Sequence, residues 1–230
     1  LIYIVAFNHE KFITKLLNRV PKNLSDKYNV EILINDDYSS DGTFKQSLEY
    51  IKNTNNNFKF KIFSNPVNQG YGGNQKIGYH YATINNFDYV ALLHGDGQYA
   101  PEYLESLIEP LKDSNIDAVF GSRMLTKGTA LKGGMPLYKF VGNKILTNFQ
   151  NLILKSNLSE FHSGYRVYKV NSLKKIPFEI NANDYSFDTE IIIQLLIAGM
   201  KIKEIAIPTY YGDEISYVNG IKYAAQISIS

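Results

Sequence analysis

The sequence predicts an α/β fold: a mostly parallel central sheet with helices on both faces and a less regular C-terminal half. Three observations predict it. Short apolar, β-rich runs alternate with stretches of helical periodicity up to about residue 121. Polar clusters stand at the ends of the second, third and fourth runs, where open α/β sheets collect their ligands. Hydrophobic residues make up 44% of the 230 and charged residues 20%, which suits a chain that buries a core rather than one that stays disordered.

Residues 1–7 (LIYIVAF) read as a buried strand, and residues 10–19 as a helix with Phe12, Ile13, Leu16 and Leu17 on one face. Residues 30–35 form a second strand, ending at Asp36-Asp37. Asp41-Gly42-Thr43 turns into a helix that runs to about Lys52. After a polar loop at 53–57, residues 58–63 alternate as a third strand. An Asn- and Gly-rich loop at 65–73 leads to a helix ending near Ile84. Residues 89–93 are the fourth strand, with 94–98 at its end. Pro101 opens a helix at a favoured early position, and residues 117–121 are the fifth strand.

The second half begins with a Gly/Lys loop at 126–134. A long helical stretch follows at 136–155, then a polar turn at 160–166 and a short strand at Val167-Tyr168. Residues 187–198 form an apolar helix capped by Gly199, and residues 202–208 a last strand. No repeat or linker divides the chain, which predicts one domain over 1–230.

A net charge of +2 is too small to imply a nucleic-acid partner. With no cysteine, disulfides and thiolate metal sites are excluded, and a reducing compartment is compatible. No apolar run reaches the ~18–20 residues of a membrane span, and no secretory signal opens the chain. Because residue 1 is Leu rather than Met, a longer parent chain is expected. A cytoplasmic protein is expected. It would sit at the inner face of the membrane if the apolar and lysine-bearing stretch 136–155 lies on a bilayer instead of packing on the sheet.

The residues that carry chemistry cluster at strand ends. Leu92–Gln98 delivers Asp96 into a turn flanked by Gly95 and Gly97. A hard divalent cation, Mg2+ or Mn2+, takes one or two protein oxygens plus substrate phosphates. Asp96 and Gln98 can supply those oxygens, and His94 can act as a ligand or a hydrogen-bond donor. The cation would neutralise a leaving diphosphate. Asp36 and Asp37 repel each other unless partnered, and one of them can accept from a base N–H or a ribose hydroxyl. Asp41 and Thr43 are N-cap material. The glycine-rich loop at 68–74, with Gly70 at its centre, permits close backbone approach to an anion or forms a tight turn. Arg123 and Arg166 are candidate phosphate contacts. Glu160, ahead of His162, is the general-base candidate outside the metal site.

In order along the chain, these strings resemble family-2 glycosyltransferases. Val5-Ala6-Phe7-Asn8-His9-Glu10 is similar to P-A-Y-N-E-E, residues 36–43 to D-D-x-S-x-D-G-T, and residues 68–78 to N-x-G-x-G-x-A…G. Residues 92–98 resemble the strand leading to D-A-D-G-Q. Gly121-Ser122-Arg123 and Ser163-Gly164-Tyr165-Arg166 match G-S-R and S-G-[FY]-R. Phe187-Asp188-Thr189-Glu190 with Glu204…Pro208 resembles F-D-x-E…E-[VI]-P. The branch most resembled is that of dolichol-phosphate mannosyltransferases and polyprenyl-phosphate glycosyltransferases. The resemblance implies a GT-A fold, a divalent cation, a nucleoside-diphosphate sugar donor and inverting transfer to a lipid-phosphate or glycan acceptor. It implies a nucleotide-sugar-binding half (1–123) and an acceptor-side half (124–230). It places Ala6, Phe7 and Glu10 near the nucleotide, Asp36 or Asp37 on the base, the cation at Asp96 and Gln98, and Arg123 and Arg166 near phosphates. Glu160 falls where the family carries an aspartate.

The chain departs from the pattern at Val5 for Pro, at His9, and at His94, which replaces the first Asp of D-x-D. The closing R-x-G-x-S-K is unmatched, since residues 210–216 carry Asp213 and Glu214 instead. His94 leaves room for a second reading, a non-catalytic nucleotide-sugar-binding domain. A nucleotidyltransferase would show a Gly-rich Lys/Arg loop after the first strand, where Asn8-His9-Glu10-Lys11 stands.

Overall fold

The computed structural model describes residues 1–210. The unmatched stretch bearing Asp213 and Glu214 lies outside them. In chain order the elements are β1 (Ile2–Ala6), α1 (Ile13–Arg19), α2 (Leu24–Lys27), β2 (Glu31–Asp36), α3 (Thr43–Asn53), β3 (Lys59–Ser64), α4 (Gly70–Ile84) and β4 (Tyr89–His94). Then come α5 (Leu104–Ile108), β5 (Ala118–Ser122), α6 (Thr129–Lys132), α7 (Leu137–Leu154), β6 (Arg166–Lys169), α8 (Val170–Leu173), α9 (Phe187–Ile197) and β7 (Ile202–Ala206). The helix expected at Pro101 is broken: 3-10 turns at Pro101–Tyr103 and Glu109–Lys112 flank α5. Pro110 in the second turn has no N–H to continue a helical ladder.

The strands form one sheet in the order β3-β2-β1-β4-β6-β5-β7. Every pairing is parallel except those of β6, which runs antiparallel to both β4 and β5. That reversal has a positional consequence. The carboxyl ends of β1, β2, β4 and β5 share one rim, and β6 starts there, with Arg166 opposite Leu92 and Phe120. The turn at 160–165 is therefore delivered beside His94 and Arg123.

The core fills both faces of the sheet, as near-continuous apolar strands require. Along β1, Ile2, Ile4 and Ala6 pack with Ile13, Leu16 and Leu104 on one face. Tyr3 and Val5 pack with Tyr79, Phe187 and Ile191 on the other. α9 buries Ile191, Ile192 and Leu195, each worth about 1.5–3 kcal/mol by transfer from water.

α7 is built the other way round. Its inward residues are Asn143, Thr147 and Gln150. Its apolar residues Leu137, Tyr138, Val141, Ile145, Phe149, Leu152 and Ile153 are exposed, Leu152 to 80%. The alternative in which this stretch packs its apolar side on the sheet does not hold.

Tyr3 ties β1 to α4. Its hydroxyl donates to Asn74 O at 2.7 Å and accepts from Asn35 Nδ2 at 3.0 Å. α4 approaches this ring through Gly78, where a Cβ would sit 2.2 Å from Tyr3 ring carbons. The ring is fully buried and pinned by its hydroxyl, so it has nowhere to yield. Gly78→Ala is therefore expected to destabilise by roughly 1–3 kcal/mol through overpacking, despite alanine's better helix propensity. Urea denaturation measures this, and a more stable variant would show that the ring can move aside.

Candidate active site

The first two rim loops are stitched together. Asn8 sits at φ 57, a left-handed conformation that asparagine tolerates. Its N–H donates to Ser39 Oγ at 2.8 Å and its Oδ1 accepts from the Ser40 N–H at 2.9 Å. The His9 N–H donates to Thr43 Oγ1 at 2.7 Å. Glu10 Oε2 accepts the Gly42 N–H at 3.1 Å. Asp41 caps α3 by accepting the Thr43 N–H at 3.0 Å. Ala6 ends β1, buried, and Phe7 follows at the rim, half-buried. Of the residues expected near a nucleotide, Glu10 is thus spent on holding the loop after β2.

Asp36 and Asp37 divide the two roles expected of one of them. Asp37 Oδ1 accepts from Asn65 Nδ2 at 2.7 Å and from the Gln69 N–H at 2.8 Å, tying β2 to the start of α4. Asp36 Oδ2 takes a long 3.4 Å bond from the Ser39 N–H, while Oδ1 is buried and accepts no hydrogen bond. Burial raises the Asp36 carboxyl above its ordinary range. A buried acceptor left over at a rim fits a base N–H or a ribose hydroxyl.

Gly70 is not an anion cradle. At φ +77, with a would-be Cβ 2.5 Å from Asn183 O, it lets the 182–184 segment lie against the start of α4. Asn183 O accepts from the Gly72 and Gly73 N–H groups at 2.8 and 3.2 Å. Of the two readings of this loop, close approach to an anion or a tight turn, the structure favours the turn, with the helix start capped by the chain itself.

Asp96 occupies the turn after β4 and is half-buried. Its Oδ1 accepts the Gln98 N–H at 2.9 Å, while Oδ2 makes no hydrogen bond among the described residues. Gln98 reaches Tyr210 O through Nε2 at 3.4 Å, leaving its amide oxygen as a donor atom. His94 lies edge-on to Tyr71 and Tyr99, with Nε2 3.2 Å from Tyr71 Oη. Burial lowers its pKa, partly offset by Asp96. Among the described residues no cluster of three or more acidic, histidine or cysteine side chains forms a preassembled cation site. One open carboxylate oxygen with an adjacent amide oxygen does fit an Mg2+- or Mn2+-type cation that completes its shell with phosphate and water.

On the other side of the turn stands a buried ion pair. Glu160 Oε2 accepts the Arg123 backbone N–H at 2.7 Å. Its Oε1 accepts Arg123 Nε at 3.0 Å, Arg123 Nη2, and Asn143 Nδ2 at 2.8 Å. Burial would raise the Glu160 carboxyl, but Arg123 and these bonds outweigh it and hold it below the usual range. A carboxylate so occupied is a weak proton acceptor, which disfavours the expected base role and favours one of anchoring Arg123. His162 is neutral, its pKa lowered by burial to about 4.

Arg166 is a correction. It was expected near a phosphate, yet it is fully buried. Its Nε, Nη1 and Nη2 donate to the carbonyls of Ser163, Asp188 and Phe161 at 2.8–2.9 Å. Nη1 also lies 3.3 Å from Asp188 Oδ1, and the guanidinium sits 4.9 Å from the Phe120 ring centre. It clamps the 161–163 turn to α9.

Sequence reasoning missed Asn143, Tyr71 and Asp188. Asn143 had a signal: with Thr147 and Gln150 it makes a polar stripe at helical spacing within an apolar helix. Tyr71 had none, and Asp188 stood in the F-D-x-E string without a role.

A family model described as Glycosyl transferase family 2 matches residues 1–177. An uncharacterised Methanocaldococcus jannaschii protein is 32% identical over 223 residues, 94% of this chain and 90% of that one. The UDP-N-acetylglucosamine–dolichyl-phosphate N-acetylglucosaminyltransferase of Methanococcus voltae is 30% identical over 222 residues, 92% of this chain and 86% of that one. The glucosyl-3-phosphoglycerate synthase of Mycobacterium tuberculosis, solved with Mn2+, UDP and phosphoglyceric acid, superposes with a TM-score of 0.68 at 14% identity, covering 99% of this chain and 74% of that one. The fold is GT-A.

Glu160→Gln removes the carboxylate that pairs with the buried Arg123 guanidinium, and breaking a buried pair from one side is expected to cost about 3–5 kcal/mol of stability. If Glu160 also serves as a base, the variant loses the acidic limb of its pH–rate profile as well; if it only anchors Arg123, that limb remains. Chemical denaturation together with that profile separates the two.

Proposed function

This chain belongs to glycosyltransferase family 2, and from that premise we propose that it moves a sugar from a nucleoside-diphosphate donor to a polyprenyl phosphate at a membrane surface. The observation that carries the proposal is a pair of carboxylate oxygens left over on one rim, Asp36 Oδ1 and Asp96 Oδ2. Asp36 would receive the nucleoside. Asp96, with Gln98 and His94, would hold the cation, which when bound neutralises the leaving diphosphate. A solved structure of the same fold, described with Mn2+ and UDP, supports a divalent cation and a nucleotide donor.

The acceptor follows from Glu160. A hydroxyl acceptor needs a base, and Glu160 is tied up by Arg123 and Asn143. A phosphate arrives already ionised and needs none. One of its oxygens would attack the anomeric carbon in line as the diphosphate departs, which inverts the configuration. Arg123, at the rim but paired, would set the local potential for that phosphate. The Methanococcus voltae relative, named for dolichyl phosphate, supports this acceptor class. Residues 1–123 would then serve the donor and the later half the acceptor.

The surface fits a lipid-borne acceptor. No helix among the described residues is long and apolar enough to cross a membrane. The exposed apolar face of α7 would instead lie on the bilayer. From residue 124 to 159 the chain carries Lys127, Lys132, Lys139, Lys144 and Lys155 and no acidic residue. Each lysine near an anionic leaflet adds about 1 kcal/mol of attraction. That charge distribution supports a position at the cytoplasmic face of the membrane.

Asp96→Asn keeps the hydrogen bond from the Gln98 N–H and removes the charge. It is expected to abolish Mn2+-dependent thermal stabilisation by UDP or GDP and to lower kcat at least about 100-fold. Wild-type turnover in this variant would remove Asp96 from the site. In flotation with anionic vesicles the chain is expected to rise with the lipid, and Ile145→Glu/Phe149→Glu to stay below. Equal flotation of the two would exclude α7 as the contact.

A further inference from the structure

The replacement of a carboxylate by His94 raises a question that the rim geometry answers. A neutral imidazole has one N–H and one lone pair, and only the nitrogen bearing the lone pair can face a cation or accept a hydrogen bond. Which nitrogen that is depends on the partner of the other.

The partner of Nε2 is the Tyr71 hydroxyl, at 3.2 Å. That hydroxyl has a single hydrogen, and a second neighbour claims it: Asp188 Oδ2 lies 2.9 Å away. Asp188 is held as an acceptor from its other side. Its Oδ1 receives Gln75 Nε2 at 3.1 Å and faces Arg166 Nη1 at 3.3 Å. A carboxylate paired with a buried guanidinium has no hydrogen to give, so Tyr71 donates to Asp188. The tyrosine oxygen then meets Nε2 as an acceptor, and Nε2 must carry the hydrogen.

We infer that Asp188, acting through Tyr71, fixes His94 as the Nε2–H tautomer and leaves Nδ1 as its lone-pair nitrogen. Nδ1 makes no hydrogen bond among the described residues and is not among the buried polar atoms sealed without a partner. Nδ1 is thus left without a protein partner among the described residues, two residues from Asp96. Tyr71 and Asp188 are positioning residues: they set what His94 presents. Tyr71 is itself held, stacked on Tyr185 at 4.9 Å between ring centres. The tautomer follows from these hydrogen bonds alone. Its use as a cation ligand rests on the proposed metal role of Asp96.

The test is long-range 1H–15N correlation NMR of the 15N-labelled chain. It has four histidines, and His94 is assigned by comparison with His94→Gln. The wild-type spectrum is expected to show His94 with its hydrogen on Nε2. Tyr71→Phe keeps the ring on Tyr185 and leaves Asp188 its bonds to Arg166 and Gln75. In that variant His94 should become a tautomer mixture, and Mn2+ binding in the presence of UDP should weaken about tenfold. A wild-type Nδ1–H signal overturns the inference, and so does an unchanged Nε2–H signal in Tyr71→Phe. If the tautomer responds while Mn2+ affinity does not, the positioning role stands and His94 is no cation ligand. If wild type binds neither UDP nor Mn2+, the donor reading fails and the spectra still decide the tautomer.

Discussion

The later half of this rim depends on the direction of one short strand. β6 enters the sheet between β4 and β5 against their polarity. Its first residue therefore lies at the rim where its neighbours end. Arg166, at that first position, fastens the preceding turn to α9 through three backbone carbonyls. With the turn fixed, Glu160 meets Arg123, 37 residues earlier, and Asn143 reaches the same carboxylate from α7. The buried guanidinium carries its charge against Asp188, so it organises the site from behind.

The rim sorts its polar groups into closed and open. Asp37, Glu160, Arg166 and the N–H groups at the start of α4 are satisfied by the chain. Asp36 Oδ1 and Asp96 Oδ2 are not. The closed groups hold the open ones in place. An open buried acceptor costs stability of order 1–3 kcal/mol until a ligand completes it. Such a cost is tolerable at a binding site.

Much of this was legible in the residues. Strand and helix alternate with distinct periods, so the parallel sheet and the rim at its strand ends followed from pattern alone. The position of Asp96 was legible because an apolar strand delivers it into a turn flanked by Gly95 and Gly97. The reversal of β6 was not legible. Four residues carry no mark of direction, which the sheet's other pairings impose. The fate of Arg166 was hidden for a related reason: an arginine reads the same whether it meets a phosphate or three carbonyls. The glycines at 70, 72 and 73 suggested an anion or a tight turn, and what comes against them is the 182–184 segment, more than a hundred residues away, with Asn183 O on the Gly72 and Gly73 N–H groups. Pattern shows that a backbone must come close, not what comes.

α7 has a consequence for how the protein behaves as a material. A helix that turns Asn143, Thr147 and Gln150 inward gains little from burial and is fastened mainly by side-chain hydrogen bonds. Its outward side is a continuous oily strip, the kind of surface that drives unrelated copies together. The surrounding medium thus acts as the missing half of this helix's core. In plain buffer α7 should be the region that opens most readily to hydrogen exchange and nucleates self-association. An amphiphile would firm it locally, and through Asn143 that firmness would reach the carboxylate holding Arg123.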